Sequence, residues 1–288
     1  MAKTQALNRR IRSVRNAKQI TKALEVVAAS RMRRVQSSVK TAREYADAAT
    51  TIMRKVAPSQ EAKHHPYFRP VDKANSLYII FTSDRGQAGA FNSNVFHACL
   101  QEFHKESAHP AVIAFGRKGA RFFAKTDGHR LIGEYEDVAD VPESNLFAPT
   151  LESIAHGITA GDFNSVKIIY TSFVSSLTQQ VKVVNLLPIS LPEPDGQQPV
   201  DNTVYEFEPA LESVLEEALR LYFESQLLQA RIESAASEYA MRMIAMGNAS
   251  RNASDLIETL TLELNATRQA AITQEIAEIT GGAAAIAN

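Results

Sequence analysis

IRSVRNAKQITKALEVVAASRMRRVQSSVKTAREYADAATTIM, residues 11–53, decides the architecture of this chain. It holds neither Pro nor Gly, the two residues that interrupt helices, and the same is true of all of residues 1–57. Apolar side chains recur at the heptad's mean spacing of about 3.5 residues. They are Leu7, Ile11 and Val14, then Ala28, Met32, Val35, Val39, Ala42, Ala46, Ala49 and Met53. Lys18, Thr21 and Glu25 stand on the same line and break it. That period predicts a helix supercoiled against a partner. At 1.5 Å per residue the helix would run roughly 80 Å, more than a small domain can hold.

The partner is at the other end of the chain. Residues 210–280 contain no Pro and one glycine, Gly247, while all 11 prolines lie between the two ends. The same spacing there picks out Leu211, Leu215, Ala218, Tyr222, Ser225, Gln229, Ile232 and Ala236, and continues through Tyr239, Met243, Met246, Ser250, Ala253, Ile257, Leu260 and Leu264. A helix over that span would reach roughly 105 Å. The formal net charge of −1 conceals a division. Residues 1–57 carry 14 Lys/Arg against three Asp/Glu, and residues 206–288 carry five Arg against 13 Asp/Glu. Opposite sign and shared period make the acidic end the simplest partner of the basic one. Chain order makes the pair antiparallel. Its seam is rich in Ala and Ser, and at about 25 cal/mol per Å² it gains less from burial than a Leu seam would.

Between the ends the period changes. SLYIIFT (76–82), AVIAF (111–115), SVKIIYTSF (165–173) and VKVVNLLPI (181–189) read as strands, and 92–107, 116–126 and 144–160 as helices. The alternation predicts a parallel-dominated, Rossmann-like three-layer α/β domain. The last two strands, joined by a short turn at Ser175–Thr178, predict an antiparallel edge pair. SLPEPDGQQPVDN, within 190–205, reads as a linker, and Pro209 after Glu208 as the first residue of the final helix. The organisation expected is therefore a coiled-coil helix over 1–57, an α/β domain over 75–190 and a second coiled-coil helix over 209–288.

Little of this sequence carries chemistry. TSDRGQAGAFN (82–92) follows the first strand, where a Gly-containing turn could cradle phosphate. It matches neither G-x-x-x-x-G-K-[ST] nor G-x-G-x-x-G, and Gly86 and Gly89 read as turn residues. The single cysteine, Cys99, admits no disulfide framework or Cys-x-x-Cys site. The seven histidines show no metal spacing, and His64 and His65 read as solvated turn residues. No cofactor or metal is expected. The 14 basic residues of the first helix are spread along it rather than packed into a block, which argues against nucleic acid. No segment approaches the ~18 apolar residues of a membrane span, and the N-terminus lacks the apolar run of a signal peptide.

IRSVRNAKQITKALEVVAASRMRR (11–34), SEYAMRMIAM (237–246) and ATRQAAITQEIAEITGGAAA (266–285) resemble the signature ends of the F-type ATP synthase gamma subunit. TSDRGQAGAFNSNV is similar to that family's loop after the first strand, and YEFEP (205–209) to its entry into the C-terminal helix. The resemblance spans essentially the whole chain, in order. It implies a non-catalytic central-stalk rotor at the cytoplasmic face of a bacterial inner membrane. Its partners would be the alpha3beta3 hexamer, the epsilon subunit and the c-ring, so that the membrane is met only through the complex.

The resemblance places beta-subunit contacts at Lys22, Leu24, Arg242, Arg268, Gln269, Thr273 and Glu275, and the c-ring and epsilon side at Tyr205, Glu206 and Glu208. It makes the terminal GGAAAIAN a small-residue tip. Two departures stand out. Leu24 occupies a position where the family commonly has Met, and Gly86-Gln-Ala-Gly-Ala90 replaces a frequent Gly-Leu-Cys-Gly-Gly. Two other readings compete: a coiled-coil scaffold or paralogue serving another ring ATPase, and a nucleotide-dependent enzyme with coiled-coil arms. The polar break at Lys18–Glu25 fits either register control or a face for a third body.

Overall fold

A computed structural model describes residues 2–69, 75–106, 109–190, 207–208 and 210–286. Contacts divide the chain into two compact units, Met1–Ala28 with Arg242–Asn288, and Ala29–Met241. Helix α1, Ala2–Val56, and helix α6, Leu211–Ile286, each contribute to both.

In the first unit Leu7 and Ile11 bury against Leu260, with Val14, Ile257 and Leu264 packed around them. Lys3 lies 3.9 Å from Glu263, and the backbone of Gly247 faces the Glu25 carboxylate. Numbers rise along α1 as they fall along α6, so the helices are antiparallel, as their order predicts. The seam is the expected one. Val14 is half-buried and Leu7, Ile11 and Ala28 are buried, with Lys18, Thr21 and Glu25 half-buried between them.

In the larger unit α1 and α6 are again antiparallel. Arg31 donates to Tyr239, Arg43 to Glu233, and Gln226 to Thr50 at 3.1, 2.8 and 3.5 Å. Met32, Val35, Val39, Ala42, Ala46, Ala49 and Met53 are buried as their spacing predicts. Along α6, however, burial exceeds a seam, because every position from 230 to 237 is buried. One face of the helix packs on α1 and another on a sheet, and a single heptad line captures only the first.

That sheet has the order β3-β2-β1-β4-β5. Strands β1 (Ser76–Phe81), β2 (Ala111–Phe115), β3 (Arg130–Tyr135) and β4 (Ser165–Phe173) run parallel. β5 (Gln179–Leu187) returns antiparallel along β4 as the expected edge pair. On one face Tyr78, Ile80, Val112, Ala114 and Ile169 pack beneath α3 (Phe91–Phe103) and α4 (Arg117–Phe123). On the other, Leu77, Ile79, Phe81, Ile113, Phe115 and Ile168 meet α5 (Ala148–Ala160), the end of α1 and the start of α6. Three layers result, and α1 and α6 supply much of the third.

Several boundaries move. β5 begins two residues earlier than expected, α3 stops at Phe103, α4 spans 117–123, and the first turn of 144–160 is a 3-10 turn, Ser144–Phe147. β3 was not anticipated. RLIGEY has no β-branched run, carries two charges and holds a glycine, which suits an exposed edge rather than a buried strand. Gly133 lets the strand lie against Ile113, beside a register shift. A short helix α2, Gln60–His64, capped by Ser59, and a 3-10 turn Pro66–Phe68 follow α1. His64 is exposed there as expected, but His65 is half-buried against Tyr67, where desolvation lowers its pKa. The linker and Pro209 lie outside the described residues, and α6 begins at Leu211.

Candidate functional site

The polar break of α1 is a small electrostatic cluster. Lys22 is exposed and donates to both Glu25 carboxylate oxygens, at 3.1 and 3.2 Å. Glu25 lies against Gly247, where a Cβ would meet its carboxylate carbon at an ordinary 3.5 Å, and Arg251 lies beside the same glycine. Leu24 is half-buried, while Ile20, Val26 and Val27 near it are exposed. Exposed aliphatic groups beside a cation make a mixed surface of the kind partners cover. Arg242, in the same unit, is buried on α6.

Arg268, Gln269, Thr273 and Glu275 lie on α6 beyond Leu264 of the seam, and all four are exposed. Thr273 returns its hydroxyl to the Gln269 carbonyl at 3.0 Å, as helix-interior threonines do. No ion pair involving Arg268 or Glu275 occurs among the described residues. Ile272, Ile276 and Ile279 share this stretch, and Ile279 is 71% exposed. Glu208 is exposed, and Tyr205 and Glu206 lie outside the described residues.

The basic charge of α1 is not spent on α6. Lys3–Glu263 and Arg43–Glu233 bridge the helices, but Arg9, Arg10, Arg12, Arg15, Arg33 and Arg34 are exposed with no acidic partner among the described residues. Charge complementarity therefore explains less of the helix pairing than the sequence suggested, and the seam does most of it. The cations face outward.

The turn after β1 is occupied by its own groups. Ser83 N–H donates to Asn92 Oδ1 at 3.0 Å, and Asp84 Oδ1 accepts from the backbone N–H of Arg117 and Asp137 at 2.9 and 3.1 Å. Arg117 in turn binds Glu136 and Asp137 at 2.7 and 2.6 Å. Gly116, at φ +100°, packs so closely on Thr82 that a Cβ would stand 2.3 Å from its carbonyl oxygen. Three carboxylates at a turn repel phosphate, so this loop ties the ends of β1, β2 and β3 together.

Two polar clusters were not foreseen. Glu233, its side chain 1% exposed, accepts from Arg43 Nε at 2.8 Å, Ser172 Oγ at 2.6 Å, Phe173 N–H at 3.0 Å and Gln229 Nε2 at 2.9 Å. Burial opposes its charge, but these donors, Arg43 first, outweigh it and hold the carboxyl below its ordinary value. Tyr239 donates to Asp140 at 2.9 Å and accepts from Arg31, and Arg231 donates to the Val138 carbonyl at 2.7 Å. A helical Glu is ordinarily solvated, so sequence gives it no mark. The signal was the small-residue run Ser234–Ser237, which lets backbone approach.

The chain matches the ATP synthase family model over residues 3–286. It is 38% identical over 280 residues to the ATP synthase gamma chain of Pelotomaculum thermopropionicum, covering 97% of this chain and 98% of that one. Among solved structures it is similar to a chain of the Tetrahymena thermophila mitochondrial ATP synthase central stalk/c-ring. That match has a TM-score of 0.61 and 25% identity, covering 80% of this chain and 99% of that one. It also shares the fold of a chain from the Euglena gracilis mitochondrial ATP synthase, with a TM-score of 0.65 and 20% identity, covering 99% and 95%.

Proposed function

This chain belongs to the family of ATP synthase gamma chains, and on that premise we propose that it is the central-stalk rotor of an F1Fo complex. It turns with an ion-driven c-ring inside an alpha3beta3 hexamer and carries the catalytic beta subunits through their conformations in sequence. It catalyses nothing itself, touches the membrane only through the complex, and works at the cytoplasmic face of a bacterial inner membrane. The observation that carries this reading is the end of α6. There Arg268, Gln269, Thr273 and Glu275 stand exposed among exposed isoleucines, and no other described part of the chain covers them.

Each proposed contact has a physical task. A guanidinium such as Arg268 or Arg242 can hold a carboxylate through two parallel hydrogen bonds, which resists sliding. Lys22 offers a movable point charge, and Leu24 an aliphatic surface beside it. The outward cations of α1 add a field that attracts acidic loops of a surrounding ring. Glu208, with Tyr205 and Glu206, is assigned to the c-ring and epsilon side.

Reconstitution with alpha and beta subunits tests the reading. The isolated chain should hydrolyse no ATP, and the three together should form a complex that does. Failure to co-assemble would remove the rotor assignment.

A further inference from the structure

β4 outruns its neighbour. Its pairing with β1 ends at Ile80 and Ile169, yet β4 continues to Phe173. Beyond Ile169 the backbone groups of Thr171 and Phe173 on that side have no strand to meet, and unpaired buried backbone groups are costly. Side chains of the two long helices take the strand's place. Ser234 Oγ accepts from Thr171 N–H at 3.3 Å and Ser237 Oγ donates to the Thr171 carbonyl at 3.1 Å. Glu233 accepts from Phe173 N–H at 3.0 Å, and Arg43 Nη2 donates to the Phe173 carbonyl at 2.6 Å. The Glu233–Arg43 ion pair closes the set at 2.8 Å.

We propose that Glu233, with Arg43, is the residue pair that locks α1, α6 and the sheet into one torsionally rigid body. It is a positioning pair for torque transfer, and this inference rests on the rotor reading above. Apolar contact is non-directional. Ala46, Ala49, Ala218, Ala235 and Ala236 give this part of the molecule small buried surfaces that offer little resistance to one element turning past another. Hydrogen bonds weaken steeply with angle, and charge-assisted ones are the strongest available. One carboxylate bonded to two helices and a strand therefore opposes rotation of α6 about its own axis, which the seam alone opposes weakly. Arg43 also spans α1 to both atoms that matter, the carboxylate and the Phe173 carbonyl.

The test uses the membrane-bound complex carrying Glu233→Gln together with Arg43→Met, so that no lone charge is left buried. ATP hydrolysis and ATP-driven ion pumping are measured on the same vesicles. The expected result is hydrolysis close to the unaltered complex, with ions pumped per ATP lowered by about threefold or more, as for groups acting in one network. Arg43→Lys, which keeps the charge but not the two-pronged reach, should restore part of the ratio. An unchanged ratio overturns the proposal, and so does a parallel fall of hydrolysis and pumping, which marks a merely structural pair. If the double variant does not assemble, Ser234→Ala with Ser237→Ala removes two of the strand contacts without touching a charge, and the same ratio decides. Absence of coupled pumping in the unaltered complex would instead count against the rotor reading.

Discussion

At the scale of single residues, the side chains that matter here are polar groups that lie off the heptad seam. Glu233 has its carboxyl pKa held below the ordinary value by Arg43, Ser172 and Gln229 against the opposing effect of burial. A lowered folded-state pKa gives stability that is present above the unfolded value, about 4.3, and is lost as pH falls through the folded one. Glu233→Gln should therefore be less stable than the parent at pH 7, and the gap should close below about pH 4. Chemical denaturation across that range checks it, and a gap independent of pH would be the opposite outcome. Arg43→Ala leaves a buried acceptor short of its strongest donor, which should cost about 2 kcal/mol. At the exposed end of α6, Arg268→Ala with Gln269→Ala should leave the melting temperature of the isolated chain unchanged while weakening assembly or coupling, because neither side chain is buried in this chain. A large loss of thermal stability would move those residues from contact to fold.

At the scale of elements, backbone geometry makes two opposed forecasts for glycines. Gly116 holds a positive φ against Thr82, so Gly116→Ala should destabilise the protein by about 3 kcal/mol through strain and overlap. Gly247 has room for a methyl group, the nearest atom being Glu25 Cδ at 3.5 Å, and Ala there should stabilise the helix by about 0.5–1 kcal/mol. Thermal melts of the two variants should shift in opposite directions. The same distinction explains what sequence could say. The seam of α1 was legible down to the individual residue because a heptad period survives any context. The β1, β2 and β4 runs were legible because buried parallel strands are continuously apolar. β3 was hidden because an exposed edge selects against that signature. The buried face of α6 over 230–237 was hidden because Ala and Ser serve equally as surface or as close contact. Of the candidate site, the exposed group at the end of α6 came from family likeness alone, since exposed polar residues on a helix carry no periodic mark. The polar break at Lys18–Glu25 was visible directly.

At the scale of the whole molecule, a near-neutral chain with separated charge serves a mechanical task. Six arginines of α1 are directed to solvent rather than to α6, which suits a rotor met by changing surfaces of a surrounding ring and gives salt-sensitive association. Binding of the chain to an alpha-beta assembly should accordingly weaken as ionic strength rises. A fold related to nucleotide-binding sheets is used here as a body to be turned, with its phosphate-loop position filled by Asp84 and its bonds to Arg117 and Asp137. The most direct measurement is of rotation itself. The alpha3beta3 complex is fixed to a surface, a bead is attached to this chain at a cysteine replacing exposed Glu208, and ATP is added. Sustained rotation in one direction, stopping when ATP is exhausted, is the expected result. ATP hydrolysis at full rate with a stationary bead, in a complex shown to contain the chain, would refute it.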